Sequence, residues 1–239
     1  MKPTIVLVHG AFAESASWGM VIESLAGTGH RAIAAANPLR GLAADTAAVT
    51  DLVRSIDGPV VLVGHSYGGM VISNVPADAG EITGLVYVAA FAPDPGETCF
   101  SLAGQFPGST LGAAVRPVPL HDGTTDLYID TEKFHDQFCA DLSELEAVRL
   151  AATQRPVTQE ALTEPSGDHP LWREVPSRFV IGEEDRNIPA ALQRFMAERA
   201  GARRVVQIPG ASHAVAVSHP GATAEVIRAA AAQPAPARH

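Results

Sequence analysis

The run Gly64-His65-Ser66-Tyr67-Gly68-Gly69 sets a serine between glycines two positions away on either side. It directly follows the apolar stretch Val60-Val61-Leu62-Val63 and directly precedes residues with helical spacing. A serine between strand and helix must take a tight, strained turn, and small flanking residues let the neighbouring backbone pass closely enough to permit it. The hydroxyl is thereby held above the strand end, where the first N–H groups of the helix offer a positive dipole end to a developing oxyanion. A glycine-rich turn merely capped by serine would contain similar residues, but the strand before and the helix after favour a nucleophile.

A serine hydroxyl attacks poorly unless a base takes its proton, so the motif demands a histidine, itself oriented by a carboxylate. In this kind of site the acid precedes the histidine in the chain. Two later stretches supply both. Phe179-Val180-Ile181-Gly182 is followed by Glu183, Glu184 and Asp185, and Val205-Val206-Gln207-Ile208 is followed by Pro209-Gly210-Ala211-Ser212-His213. Spacing alone does not separate the three adjacent acids; Asp185 is preferred. His219 competes as the base but abuts Pro220 at a helix start, where a histidine serves as a solvated turn residue, so His213 is chosen. Near the N-terminus, Val6-Leu7-Val8-His9-Gly10-Ala11-Phe12 ends an apolar run in a His-Gly turn. The Ala11 and Tyr67 N–H groups are expected to form an oxyanion hole. His9 is read as holding its own loop by a hydrogen bond.

The elements that must position these groups alternate along the chain. Short apolar runs at 4–8, 31–36, 59–63, 82–89, 177–181 and 204–208 are separated by helical patterns at 15–26, 43–55, 67–75, 189–200 and 220–232. The runs are continuously apolar, as parallel strands covered on both faces require. Pro189 and Pro220 stand where a first helical turn tolerates proline. The expected fold is α/β, a six-stranded mostly parallel sheet with helices on both faces. Ser66, the acid and His213 all follow strand ends, the edge at which open α/β sheets bind ligands.

Residues 90–177 break the rhythm with proline- and glycine-rich loops and a helical stretch at 143–153. This gives a core of 1–91 and 177–233, a lid insertion of 92–176, and a frayed tail at 234–239. Phe12, Phe100, Phe106, Tyr128 and Phe134 are the expected lining of an apolar substrate pocket. Asp122-Gly123-Thr124-Thr125-Asp126 lacks the spacing of a cation loop and reads as a turn.

Composition narrows the partners. With 17 basic against 26 acidic residues, a formal charge of -9 and no run of Lys or Arg, the chain lacks the footprint of a nucleic-acid or anionic-membrane binder. Cys99 and Cys139 are no disulfide framework and lie in no paired Cys-x-x-Cys motif, so both read as buried thiols. The five-residue apolar run near the N-terminus is too short for a secretion signal, and a cytoplasmic location is the default expectation. No metal or organic cofactor is expected.

Together these pieces resemble the α/β-hydrolase superfamily, and within it the branch of small plant-type esterases and hydroxynitrile lyases with their bacterial relatives. The resemblance spans nearly the whole chain. It rests on Val-His-Gly-Ala at 8–11, Gly-His-Ser-Tyr-Gly-Gly-Met at 64–70, Ala-Ala-Phe-Ala-Pro-Asp at 89–94, Glu-Asp-Arg-Asn-Ile-Pro at 184–189, Gln-Arg-Phe-Met at 193–196 and Ser-His-Ala at 212–214. In that branch the Asp of the Glu-Asp-x-x-Ile-Pro segment is the acid, which implies Asp185. The cyanide-releasing lyases carry a Lys after the catalytic His and a Thr in the first loop, whereas Ala214 and Gly10 stand here. The resemblance therefore implies a serine hydrolase that cleaves small to medium hydrophobic carboxylic esters through an acyl-enzyme. Lactone opening, carbon–carbon cleavage or a lyase step on the same triad, and a ligand receptor with little turnover, are the alternatives. A homodimer is left open.

Overall fold

The computed structural model describes residues 1–232, so the tail expected at 234–239 lies outside the described residues. Six strands form the main sheet: β1 (Thr4–Val8), β2 (Ala32–Ala35), β3 (Pro59–His65), β4 (Glu81–Val88), and, after a long interval, β8 (Ser177–Gly182) and β9 (Arg204–Ile208). Their order is β2-β1-β3-β4-β8-β9, and every pairing is parallel. The chain runs outward from β1 to β2, then returns past β1 to build the other half from β3. The switch point thus falls between β1 and β3, where α/β sheets open a crevice at their carboxyl edge.

Both faces of the central strands β1, β3, β4 and β8 are buried, which explains their unbroken apolar runs. Val6, Val8, Leu62, Leu85, Tyr87 and Phe179 face one core with α2 (Leu42–Arg54), α3 (Gly68–Asn74) and α9 (Ala190–Arg199). Ile5, Leu7, Val61, Val63, Val86 and Val180 face the other with α1 (Gly19–Ala26) and α11 (Pro220–Ala231). Pro220 occupies the first turn of α11, as its fixed φ favours.

Between β4 and β8 the chain contains α4 (Cys99–Ala103), α5 (Leu111–Ala114), β5 (Val115–Pro119), β6 (Thr125–Ile129), α6 (Phe134–Phe138), α7 (Glu144–Thr153), β7 (Val157–Thr158) and α8 (Gln159–Thr163). The expectation of a strand-free interval is corrected here: β5, β6 and β7 form a three-stranded antiparallel sheet. Pro117 and Pro119 hide β5 from a pattern reading, because proline argues against a strand unless it lies on an edge, and β5 is an edge. β7 is only two residues long. The helical stretch at 143–153 is present as α7, started by a capping box between Ser143 and Glu146. The Asp122 region is the β5–β6 turn, closed by the Asp122 carboxylate accepting from the Thr124 N–H at 2.9 Å. Cys99 and Cys139 are both buried free thiols, and burial pushes each up.

Candidate active site

Four strands in succession end in a residue with left-handed backbone: Phe12 after β1 (φ 60°), Leu39 after β2 (φ 61°), Ser66 after β3 (φ 55°) and Ala89 after β4 (φ 44°). Side chains rarely adopt this conformation, so strain is concentrated along one edge of the sheet. Ser66 is held in it by three backbone hydrogen bonds. Its N–H donates to Val88 O at 3.3 Å, and its carbonyl accepts from Gly69 N at 3.0 Å and Phe91 N at 3.2 Å. The turn needs glycine neighbours. A Cβ on Gly64 would lie 2.6 Å from the Gly68 carbonyl oxygen, and one on Gly10 would lie 2.5 Å from the Ser66 Cβ. The last figure also sets the His9–Phe12 loop directly against the serine.

The acid and the histidine meet. Asp185 Oδ2 accepts from His213 Nδ1–H at 2.8 Å, and both side chains are fully buried. Because a carboxylate only accepts, Nδ1 carries the imidazole proton and Nε2 keeps a free lone pair. Nε2 is buried and without a hydrogen-bond partner among the described residues, so no hydrogen bond joins it to the Ser66 hydroxyl. Catalytic hydrogen bonds often tighten only with substrate present. Burial also separates the three candidate acids, since Glu183 and Glu184 are exposed and Asp185 is not.

Asp185 is over-determined. Oδ1 accepts from the N–H groups of Asn187 (2.8 Å) and Ile188 (2.9 Å), and Oδ2 accepts a second bond from Gln193 Nε2 (2.9 Å). Gln193 lies on α9, one turn into the helix, and the same Nε2 also donates to Ile188 O at 2.7 Å. Sequence reading missed Gln193 as a partner of the acid; the only signal was its place in the 193–196 match.

His65 is a second residue not singled out. Its Nε2–H donates to the backbone carbonyl of His213 at 3.0 Å, linking the serine's strand to the histidine's loop. Burial and the nearby His213 hold His65 far below the usual imidazole range, at about 3, so it remains neutral. His9 bonds its own loop as expected, Nδ1–H donating to Gly10 O at 2.9 Å, and burial pushes it down to about 4. His219 is removed from the site, with Nδ1 2.9 Å from Ser218 Oγ and 3.8 Å from Asp141 Oδ2.

The Ala11 and Tyr67 N–H groups are not used in any hydrogen bond among the described residues. The Tyr67 ring is pinned elsewhere, its hydroxyl donating to the buried Asp45 carboxylate at 2.8 Å. The intervening segment reaches the site through α6. Phe138 O accepts from Ala214 N at 3.0 Å and from Ser212 Oγ at 3.3 Å, and its ring meets the His213 ring edge-on, with centroids 5.0 Å apart. Gln137 Nε2 donates to Arg186 O (2.9 Å) and Asn187 Oδ1 (2.7 Å), clasping the loop after Asp185.

A narrow crevice with room inside for about one water is bounded by His9, Phe12, Trp18, His65, Phe138 and Ala214 among others, and neither Ser66 nor His213 lines it. Of the five aromatic residues expected to line a pocket, Phe12 borders it and the other four do not. Phe100 is 55% exposed. Phe106 packs on Phe195, Tyr128 lies on β6 opposite Arg116, and Phe134 is stacked beneath Phe138. Sequence alone could not choose among aromatics in a segment whose strands it did not resolve. Among the described residues no cluster of His, Cys, Asp and Glu is placed to hold a metal ion, and no helix is long and apolar enough to cross a membrane.

An alpha/beta hydrolase of Aspergillus novofumigatus is 29% identical over 98% of this chain and 98% of the relative. A pyrethroid hydrolase of Sphingobium wenxiniae is 29% identical over 93% of this chain and 85% of its own length. The solved structure of polyneuridine aldehyde esterase superposes with a TM-score of 0.79 at 20% identity, covering 96% of this chain and 99% of that one, and so shares the fold. The model of the alpha/beta hydrolase family matches residues 5–226, and the chain belongs to that family.

Proposed function

We propose that the protein hydrolyses carboxylic esters of small to medium hydrophobic molecules through an acyl-enzyme on Ser66. It is a hydrolase acting on ester bonds, and the finer assignment follows from the chemistry of the groups gathered at the sheet edge. Ser66 Oγ attacks the ester carbonyl carbon while His213 Nε2 takes its proton. The tetrahedral oxyanion is held by the Ala11 and Tyr67 N–H groups. Collapse breaks the bond to the leaving oxygen, which receives the proton from His213. A water then gives its proton to His213 and attacks the acyl carbon, and the carboxylic acid leaves as Ser66 regains its proton. Asp185 fixes the tautomer that leaves Nε2 basic and stabilises the imidazolium.

Two observations support this reading: the fully buried Asp185–His213 pair with an unbonded Nε2, and a serine in left-handed backbone directly after β3. A buried lone pair without a partner is unfavourable in the resting protein, and a role in accepting a proton during turnover accounts for it. The insertion would then act as a wall of the substrate site, with Phe12 and Phe138 as apolar surfaces. The names of the pyrethroid hydrolase and the aldehyde esterase agree with ester substrates. The test is treatment with an alkyl fluorophosphonate followed by intact-mass and peptide analysis. One adduct on the Ser66 peptide, absent in Ser66→Ala, is the expected result. An unmodified chain, or an adduct elsewhere, overturns the assignment.

A further inference from the structure

Asp185 is held without a Lys or Arg beside it. Among the described residues its one ion-pair partner is His213, and its other contacts are neutral N–H donors. A carboxylate has about four acceptor positions, and here four donors fill them, two on each oxygen. The two oxygens differ in what anchors them. Oδ1 takes the Asn187 and Ile188 N–H groups, which belong to the loop that Asp185 itself begins. Oδ2, the oxygen that receives His213 Nδ1–H, takes its other bond from Gln193 Nε2. Gln193 stands on α9 next to Leu192 and within one turn of Met196, both fully buried in the core on one face of the sheet. Besides the histidine, this is the one bond that ties Asp185 to an element outside its own loop.

The Gln193 amide has one workable orientation. Its two N–H protons face two acceptors, Asp185 Oδ2 at 2.9 Å and Ile188 O at 2.7 Å, and the reversed amide would turn an oxygen toward both. That orientation leaves Gln193 Oε1 buried without a hydrogen-bond partner among the described residues, on a side chain with no exposed surface. An unmet buried oxygen weakens the fold around it. Local rules of this kind are broken where a site gains from the exception, and the group that gains here is the acid.

We propose that Gln193 is a positioning residue: it fixes Asp185 Oδ2 in line with His213 Nδ1–H, and so holds the imidazole with Nε2 ready for a proton. Its effect on turnover rests on the serine-hydrolase reading. Its effect on the Asp185–His213 bond does not, because that bond exists in the resting protein.

The experiment reads the two separately. In the ¹⁵N-labelled full chain, the downfield His213 Nδ1–H proton is assigned by its loss in His213→Gln. In Gln193→Met, which keeps the buried volume and removes the donor, this proton should move upfield and exchange faster with water as the bond loosens. A proton that stays in place, or moves downfield because the carboxylate needs no second anchor, overturns the proposal. Steady-state hydrolysis of a 4-nitrophenyl ester should show kcat lowered by about tenfold, the scale of one net hydrogen bond, with KM within about twofold of the parent. A lower melting temperature with the proton unmoved and kcat unchanged would make Gln193 a staple for the Ile188 carbonyl and nothing more, which also overturns it. Should Gln193→Met fail to fold, Gln193→Asn takes its place: it keeps the amide but draws it back by one methylene, and the same upfield move is required of it. An upfield move in a chain whose parent hydrolyses no ester would sink the hydrolase reading and leave the positioning of the pair standing. Hydrolysis by the parent with the proton unmoved in the variant would do the reverse.

Discussion

The parallel sheet and the segment inserted between β4 and β8 differ in how each holds its part of the site. The sheet positions Ser66, Asp185 and His213 beyond three separate strand ends, β3, β8 and β9, which are paired in one parallel sheet. The insertion adds no group to that set, yet α6 touches the loops of both the acid and the histidine through Gln137 and Phe138. The groups proposed to react thus ride on the parallel sheet, while the loops of the acid and the histidine are steadied by a segment of short helices and a small antiparallel sheet. Replacements in the first region should abolish chemistry with the fold intact. Replacements in the second should loosen geometry.

The largest effect is expected at Ser66. Ser66→Ala should lower kcat on the order of 10³-fold or more while leaving the melting temperature within a few degrees of the parent, since the elbow is fixed by backbone bonds and flanking glycines. Steady-state hydrolysis of a 4-nitrophenyl ester and a thermal melt check both halves. Residual turnover above about a tenth of the parent would show that the sheet edge does not supply the nucleophile.

Acid stability probes the same edge without touching the chemistry. His9 and His65 are held down to about 4 and about 3 by burial, below the ordinary imidazole value near 6.5. As pH falls from about 6.5 toward 4, the unfolded chain binds two protons that the folded chain refuses, and below about 4 only the His65 difference remains, so stability falls with acidification. The slope approaches about 3 kcal/mol per pH unit while both sites are unequal. Denaturant unfolding at pH 7, 6, 5 and 4.5 measures it. His65→Gln, which keeps a donor for the His213 carbonyl, should make the slope shallower by about half. An unchanged slope would mean that the ring is accessible to protons in the folded state.

Which parts of this arrangement were legible in the sequence follows from the same contrast. β1, β3, β4 and β8 were readable because burial on both faces forces unbroken runs such as Val60-Val61-Leu62-Val63, whereas β9 is a largely exposed edge strand marked by Val205 and Val206. Positions just beyond such runs could then be tested for chemistry. Glu183, Glu184 and Asp185 are equivalent by spacing, and their difference is one of burial, which depends on α9 and its Gln193 closing over one of them. The insertion was opaque for a related reason. Of its three strands one is prolyl and one only two residues long, and two of its helices start from local capping boxes at Thr98 and Ser143 rather than from long periodic faces. The crevice lining therefore could not be placed, and Phe138 was not distinguished from Phe134 although they are separated by a single helical turn.

Gln137 tests whether the insertion steadies the reaction. Gln137→Met preserves the buried volume but leaves Asn187 Oδ1 without its Gln137 donor and the Thr110 hydroxyl without its acceptor, whereas Arg186 O keeps the Thr110 N–H; the change should cost about 1–3 kcal/mol of stability. If that clasp sets the acid's position, kcat falls by about tenfold with KM little changed, as read from ester hydrolysis against substrate concentration. A stability loss with unaltered kcat would reduce α6 to a cover.

Arg40 marks the other anchor of the same segment and should matter least. Its guanidinium donates to Asp126 on β6 at 2.6 Å and to the Pro156 carbonyl at 3.1 Å, tying the small sheet to the loop after β2. The arginine side chain is 40% exposed, so water and salt screen the pair, and two neighbouring backbone bonds do much of the same work: Thr158 N to Leu39 O at 3.1 Å and Phe12 N to Arg155 O at 3.0 Å. Arg40→Gln should therefore cost no more than about 1 kcal/mol and leave kcat unchanged. A double-mutant cycle with Asp126→Asn, run at low and at high salt, measures the coupling. A coupling well above that value, or a fall in kcat matching Gln137→Met, would show that the insertion holds the site as one rigid body rather than through α6 alone.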